Sequence, residues 1–441
     1  MQLKEAISSV LATTKQETDA YDPWSWVEAS VWTNPMLTAL ENGVKGGKWF
    51  SLMDKVYALA TLQAAWQQVQ KNKGSHGVDS MSIERFAVKQ EQYLLELQQA
   101  LKEGSYQPLP VKRVFIPKAG GGERPLGIPA VKDRIVQTAL KMVIEPIFEN
   151  EFVEHSYGFR PLRGCKLALR TVDGCLKAGQ TWVVDADMKS YFDTIPHALL
   201  MDEVEKFISD GKVLKLIQTY LEQDILDGMN RWTPIAGTPQ GAVISPLLAN
   251  LYLHSLDKLM MQSGYTMVRY ADDFVILCQS QEEAQNALAL AQQWVNGKGL
   301  TLHPDKTQVG ECLVEGQGFE FLGYRFEAGK RWVRKKSLKA LKDKIRNKTR
   351  RSRGDSMDMI IKDLNPMLKG WFNYFKHAHK WTFSGIDGFI RRRLRSLRHK
   401  QRTGQAGFGR SKHLHQLMPN AYFTRYGLFT MKEAHAMACQ S

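Results

Sequence analysis

One stretch, Tyr265-Thr-Met-Val-Arg-Tyr-Ala-Asp-Asp-Phe-Val-Ile-Leu-Cys278, constrains the fold more than any other in this chain. Runs rich in β-branched and aromatic residues stand on either side of Ala271-Asp272, the pattern of a tight β-hairpin. The hairpin tip then carries two adjacent carboxylates, Asp272 and Asp273. Asp is common in turns, so an acid pair alone reads as a solvated turn. Between two hydrophobic strands, however, packing gives no reason for it. Crowded carboxylates repel each other unless a cation neutralises them. Oxygen-only ligands suit Mg²⁺, and paired Mg²⁺ ions can stabilise the attacking and leaving oxygens of a phosphoryl transfer.

A second strand, Thr181-Trp-Val-Val-Asp-Ala-Asp-Met188, also ends in acids. Alternation puts Asp185 and Asp187 on one face, and the pattern does not choose between them. Lys189–Pro196 is an aromatic turn leading into a helix near His197. Val111–Pro117 reads as a strand, Lys118–Arg124 as a glycine turn and Pro125–Pro129 as the return. That turn can lay Lys118 and Arg124 over a polyphosphate, or it can be a hairpin with exposed basic flanks. Pro234–Gly241 is a glycine-proline loop whose glycines permit close backbone approach to a ligand, although an ordinary connector reads the same way. Helical periods run over Met53–Val69, Ile83–Leu101, Arg134–Phe148, Gly164–Leu176 and Glu282–Asn296. Leu300–Thr307 and Gly318–Phe326 read as strands with turns. Helices alternating with strands around an antiparallel hairpin predict an α+β fold.

Charge divides the chain. From Lys330 to Ser441 there are 28 Lys and Arg against 6 Asp and Glu, whereas residues 1–329 carry a net −7. A near-neutral body with a strongly basic C-terminal quarter predicts a grip on nucleic acid there. Lys335–Arg353 reads as a basic helix, followed by two helices broken at Pro366 and an apolar stripe from Phe383 to Leu397. Trp371, Phe372, Tyr374, Phe375 and Trp381 read as core. Arg350, Arg351, Arg353, Arg391, Arg392 and Arg393 are the candidates for phosphate contacts. Five scattered cysteines fit a reduced intracellular protein. No apolar run is long enough for a transmembrane helix, and no signal peptide is visible.

Together these stretches resemble the proteins encoded by bacterial group II introns, in which reverse transcriptase and maturase share one chain. The resemblance covers roughly residues 50–400, in order. It implies a right-hand polymerase, fingers and palm, followed by an α-helical thumb or maturase domain. The segments expected are an N-terminal extension (1–50), fingers and palm (51–329), thumb (330–400) and a short basic tail that could bind DNA (401–441). By the same match, Asp187, Asp272 and Asp273 are the catalytic, metal-binding acids, and Asp185 falls outside that role. Lys118 and Arg124 match the triphosphate clamp, and Phe192 the aromatic under the incoming sugar that rejects a 2′-hydroxyl. Gln240 and Gly241 match the nucleotide- and template-positioning loop, Lys306 a further nucleotide-site motif, and Phe321-Leu322-Gly323 the primer grip. Leu364–Phe375 is similar to the maturase signature.

The resemblance implies two Mg²⁺ ions, with Mn²⁺ able to substitute. It also implies dNTPs, an RNA template with a DNA or RNA primer, the intron RNA and target DNA as partners, and no membrane. Monomer and homodimer stay open. The cysteine pairs of the family's nuclease are missing, which suggests the endonuclease-lacking group IIC form. The resemblance to bacterial intron proteins implies a cytoplasmic location, at the nucleoid when on DNA. The expected activity is RNA-directed DNA synthesis with assistance to splicing and copying of the intron. The alternative is a domesticated enzyme of the same fold, serving DNA repair or phage defence.

Overall fold

The computed structural model describes residues 23–44, 46–117, 121–405 and 411–439. Two compact units divide between Gly310 and Glu311, earlier than the composition shift at Lys330.

In the larger unit, from Pro23, the strands form two sheets. β1 (Val111–Pro117) and β2 (Glu123–Ile128) make an antiparallel hairpin, and β4 (Ile225–Asp227) joins β1 in parallel, with β5 (Asn230–Trp232) at the edge. The other sheet runs β6-β7-β3-β8, from β3 (Trp182–Asp187), β6 (Thr266–Tyr270), β7 (Asp273–Cys278) and β8 (Gln308–Glu311). Phe274 to Cys278 are fully buried without alternation. Helices Cys165–Lys177, Ser245–Gln262 and Gln281–Gly297 pack on this sheet, and a strand covered on both faces carries a continuous apolar run. The long Val131–Glu149 helix is buried along most of its length and forms the centre of the core. Val31, Trp32 and Leu40 pack into the same core, and Trp32 donates its indole N–H to the Met142 carbonyl, 3.0 Å away.

Three periodic stretches are interrupted. Met53–Val69 is two helices, Met53–Val56 and Leu59–Asn72, interrupted where Ala58 turns extended (ψ 133°); the Asp210 carboxylate accepts from the Leu52 and Met53 amides at the start of the first. Ile83–Leu101 also splits, at Lys89, where Phe86 turns to pack between Trp66 and Tyr93. Leu300–Thr307 forms only an isolated bridge, Leu302 to Met188, and the strand begins at Gln308.

The second unit begins with a meander of β9 (Phe319–Phe321), β10 (Tyr324–Glu327) and β11 (Lys330–Val333). The basic helix spans Lys335–Lys348 and stops short of Arg353. Arg393 reaches across to its end and donates to the Thr349 carbonyl (2.7 Å), the Thr349 hydroxyl and the Arg346 carbonyl, taking over acceptors that helical turns would use. Pro366 does not divide two helices; Met357–Phe375 is one helix with the proline inside. Pro366 has no N–H to donate, and an interior proline costs about 3 kcal/mol or more. Ile360, Ile361 and Leu364 before it and Leu368 and Phe372 after it are all buried, each contributing roughly 1.5–3 kcal/mol. Packing on both sides therefore outweighs the break.

The Trp381–Thr403 helix buries Phe383, Ile386, Ile390, Leu394 and Leu397 as its stripe predicts, but Trp381 is 65% exposed rather than core. Residues 411–439 form three short helices fixed by two buried side chains. Arg395 donates to the Met418 carbonyl (2.8 Å) and the Asn420 side chain (2.9 Å), and Asp387 accepts from the Met431 and Lys432 amides at the start of the Met431–Ala438 helix. Among the described residues no helix is long and apolar enough to cross a membrane.

Candidate active site

The acid-bearing hairpin is the pairing of β6 with β7, Tyr270 opposite Asp273, with Ala271 and Asp272 forming the two-residue turn. Ala271 sits at φ +59°, a value that side chains other than glycine adopt only when the surroundings enforce it. The enforcement comes from behind. Arg269 is fully buried. Its Nε donates to Asp257 Oδ1 (2.7 Å), its second terminal nitrogen pairs with Asp257 Oδ2, and the other donates to Asn250 Oδ1 (3.0 Å) and to the Ala271 carbonyl (2.9 Å). Asn250 in turn donates to the Gly158 carbonyl (2.6 Å), and Gly158 lies directly under the turn. A Cβ on Gly158 would come within 2.2 Å of the Ala271 nitrogen. Backbone bonds from Tyr157 N to Arg269 O and from Arg269 N to His155 O close the support.

β3 brings the third carboxylate. Asp187 is the cross-strand partner of Asp273, whereas Asp185 stands opposite Val275, two residues further from the tip. Lys306 forms an ion pair with Asp187, and the Asp187 carbonyl accepts from the His303 amide (2.7 Å). Burial, and then the Asp187 charge, push the Asp272 carboxyl above the ordinary carboxylate range, with a backbone hydrogen bond, Arg124 and Lys306 pulling the other way. Asp187, Asp272, Arg124 and Lys306 thus share one electrostatic field. Among the described residues no three acid, His or Cys side chains already converge as a ligand set. The donors are nevertheless all carboxylate oxygens, and the Asp187 repulsion that adds to burial in raising Asp272 is what a hard divalent cation would relieve. The residues fit Mg²⁺ in kind.

Beside the acids, the 234–241 loop is zipped onto the turn after β3. Thr238 N donates to the Phe192 carbonyl (2.7 Å), Gly237 N to the Ile195 carbonyl (2.8 Å), and the His197 ring bonds the Gly237 carbonyl (2.7 Å). Gly237 has φ +88°, and a Cβ there would lie 2.8 Å from the Phe192 oxygen. On the other side, Gly127 N of β2 donates to the Gln240 carbonyl (2.6 Å), and a Cβ on Gly241 would come within 2.3 Å of the Gly127 oxygen. The side chains repeat the link: Arg124 Nε donates to Gln240 Oε1 (2.8 Å), and Gln240 Nε2 donates to both oxygens of Asp193 (3.1 and 3.2 Å). Between the hairpin and the loop lies a cavity of about 350 Å³ lined by Arg113, Gly127, Phe192, Asp193, Trp232 and Gln240 among others. Asp187, Asp272 and Asp273 are not among the residues that line it. Lys118 lies outside the described residues.

The remaining candidates belong to the second unit. Leu322 and Gly323 form the β9–β10 turn, both at positive φ, as a two-residue hairpin of this twist requires. Tyr374 donates to the Leu322 carbonyl (2.8 Å) and Arg334 N to the Gly323 carbonyl (2.9 Å), while Phe321 is buried. The six arginines differ. Arg353 bonds Asp355, Asp363 and the Lys348 carbonyl, and Arg393 caps the basic helix, so both are engaged with the protein itself. Arg350 and Arg351 are exposed, and Arg391 and Arg392 are half-buried. Arg392 lies over the Phe389 ring together with Lys342 and Arg346.

Arg269, Asp257, Asn250, Gly158 and Asp193 were not among the sequence-predicted residues. A lone signal existed for two of them: an arginine inside an apolar strand and an asparagine inside a helix of leucines both need buried partners. Nothing in the sequence pairs them.

A hairpin and an adjoining strand that together present three aspartates, beside a fingers-like hairpin carrying a basic side chain, define a template-dependent nucleic-acid polymerase. Residues 116–326 match the reverse transcriptase (RNA-dependent DNA polymerase) family, and residues 338–418 match the group II intron maturase-specific domain. The chain is 36% identical over 296 residues to Protein YkfC of Escherichia coli strain K12, covering 58% of this chain and 77% of that protein. It is 38% identical over 201 residues to the group II intron-encoded protein LtrA of Lactococcus lactis, covering 45% of this chain and only 33% of LtrA. Among solved structures, telomerase from Candida albicans aligns over 78% of this chain and 66% of that one, at 12% identity and a TM-score of 0.41. The chain belongs to the reverse transcriptases that carry a group II intron maturase domain, a family of RNA-directed DNA polymerases.

Proposed function

We propose that this chain copies RNA into DNA at Asp187, Asp272 and Asp273, and that its second unit binds a group II intron RNA and assists its splicing before the intron is copied into target DNA. The observation that carries the reading is the joining, in one chain, of a braced acid hairpin with a basic maturase-type helical unit. Mg²⁺ held by the three carboxylates would supply activation of the primer 3′-hydroxyl and charge stabilisation at the leaving pyrophosphate. The protein's own part is positioning and electrostatics. Arg124, fixed through Gln240 to Asp193, presents a cation toward the acids, where the triphosphate of a dNTP would lie, with Lys118 as its partner. Phe192 offers its ring to the sugar and excludes a 2′-hydroxyl. The backbone at Gln240 and Gly241 lines the template and nucleotide position. Lys306 neutralises Asp187. In the second unit, the Leu322–Gly323 turn supports the primer, and Arg350, Arg351, Arg391 and Arg392 contact RNA phosphates. The target is exposed single-stranded or hairpin DNA, as for the group IIC form.

The test separates the two activities. Asp272→Asn should abolish cDNA synthesis on a primed RNA template while leaving intron RNA binding and protein-assisted splicing within about twofold, since splicing stabilises a folded RNA and needs no protein carboxylate. Retained polymerisation by this variant would refute the site. Loss of splicing along with it would refute the division of labour.

A further inference from the structure

In the second unit, Trp332, His379 and Trp381 form a three-ring cluster at the surface. Trp332 and His379 have ring centroids 4.5 Å apart, His379 and Trp381 5.0 Å at an interplanar angle of 85°, and the two tryptophans 6.5 Å. The cluster is built, not incidental. The His379 amide donates to the Arg331 carbonyl (2.7 Å), which holds the connection between two long helices against β11, and the Thr382 amide donates back to the His379 carbonyl (3.0 Å). Trp381 opens its helix with 65% of its surface exposed, although a buried stripe begins two residues later at Phe383. A large aromatic side chain left in water forfeits what burial would give, so its exposure asks for an occupant.

The charges say which occupant. Those acting on His379 are the cations of Lys330 and Lys380. Burial and the two lysines also hold the imidazole below its usual pKa, which favours the uncharged ring. Flat π faces flanked by lysines suit a base with its own phosphates, and every base has such a face.

We infer that Trp332, His379 and Trp381 form a stacking site for an unpaired base of single-stranded RNA, built from residues other than the polymerase acids and the arginines. The inference rests on the second unit's binding RNA at all, and the experiment distinguishes the two. The full chain is titrated, by fluorescence anisotropy at fixed salt, with a short labelled oligouridine and with a blunt RNA duplex of the same length. Trp381→Ala should weaken oligouridine binding about fivefold or more. Trp381→Phe, which keeps a ring, should retain most of the affinity, and duplex binding should change little in either variant. Equal affinity of wild type and Trp381→Ala for oligouridine would overturn the inference, as would an equal loss on both ligands. If Trp381→Ala altered only the sedimentation coefficient, the patch would be a contact between copies of the chain, and the inference would again fail. A wild-type chain that binds neither RNA would instead remove the RNA-binding reading itself.

Discussion

Arg269 provides the sharpest test of how the acid hairpin is held. The Arg269–Asp257 pair is wholly out of solvent, with side chains 0% and 2% exposed. Replacing Arg269 with Met removes the cation but fills the space. Asp257 is then a buried carboxylate without a partner, a situation that costs about 3–5 kcal/mol. The Asn250 and Ala271 carbonyl oxygens also lose their donor, roughly 1–3 kcal/mol each where water cannot replace it. Burial already pushes the Asp257 carboxyl upward against the arginine, so proton uptake limits the first penalty. The single variant should therefore unfold in urea with at least about 3 kcal/mol less stability. The double variant, Arg269→Met with Asp257→Leu, removes the orphan charge and should recover most of that loss, because buried ion pairs replaced by apolar residues are often neutral. It does not restore the bond to the Ala271 carbonyl. Single-turnover nucleotide addition by the double variant should stay depressed by about ten- to a hundredfold in kcat with little change in KM, the signature of displaced reacting groups. If activity returns together with stability, Arg269 is only a core residue and the positioning argument is wrong.

Two further predictions follow from neighbouring geometry. Gly158→Ala should lower kcat on the order of 10²-fold at nearly unchanged RNA affinity, because its methyl group would displace the Ala271 nitrogen; normal single-turnover rates would show that the tip tolerates the shift. Asp133, buried beneath Tyr106 and Leu109, has its carboxyl raised from 3.8 to about 6, chiefly by desolvation. Its native form therefore binds a proton more readily than its unfolded form. Its contribution to stability is present below pH 4 and is lost as pH rises to about 6, worth roughly 3 kcal/mol over that window. Urea titrations across pH 4–6 should show Asp133→Asn with a stability that rises more, or falls less, with pH than wild type; parallel curves would mean the group titrates normally.

What the sequence disclosed and what it withheld follow a physical line. The Tyr265–Cys278 hairpin was legible because strand propensity, turn length and the acids all lie within fourteen adjacent residues. The choice of Asp187 over Asp185 came from resemblance; only the folded register shows that Asp187 stands opposite Asp273 and Asp185 opposite Val275. The brace behind the hairpin was invisible because Gly158, Asn250, Asp257 and Arg269 come from a loop, a helix and a strand, and only folding joins them. Pro366 was misread because local propensity was set against packing that lies elsewhere in the unit. Trp381 was misread in the opposite sense, since helical spacing predicts a face but not whether anything covers it. The arginine runs gave the right sign of charge, yet Arg353 and Arg393 bond to the protein, and composition cannot distinguish a cation facing solvent from one closing a helix.

The zipped loop has a consequence for copying accuracy. The Phe192 carbonyl and the Thr238 amide are one hydrogen bond, and Gly237 rests on the same turn. On the proposed roles, the surface that inspects the sugar and the backbone that seats the template are not separate parts but one stiff piece. Evolution or engineering that loosens this piece to accept an unusual sugar also blurs the reading of the base, so ribonucleotide insertion and base misincorporation rise together. An enzyme more tolerant of modified nucleotides, built from this chain by changes at 192 or 237–238, inherits a higher error rate as part of the same change.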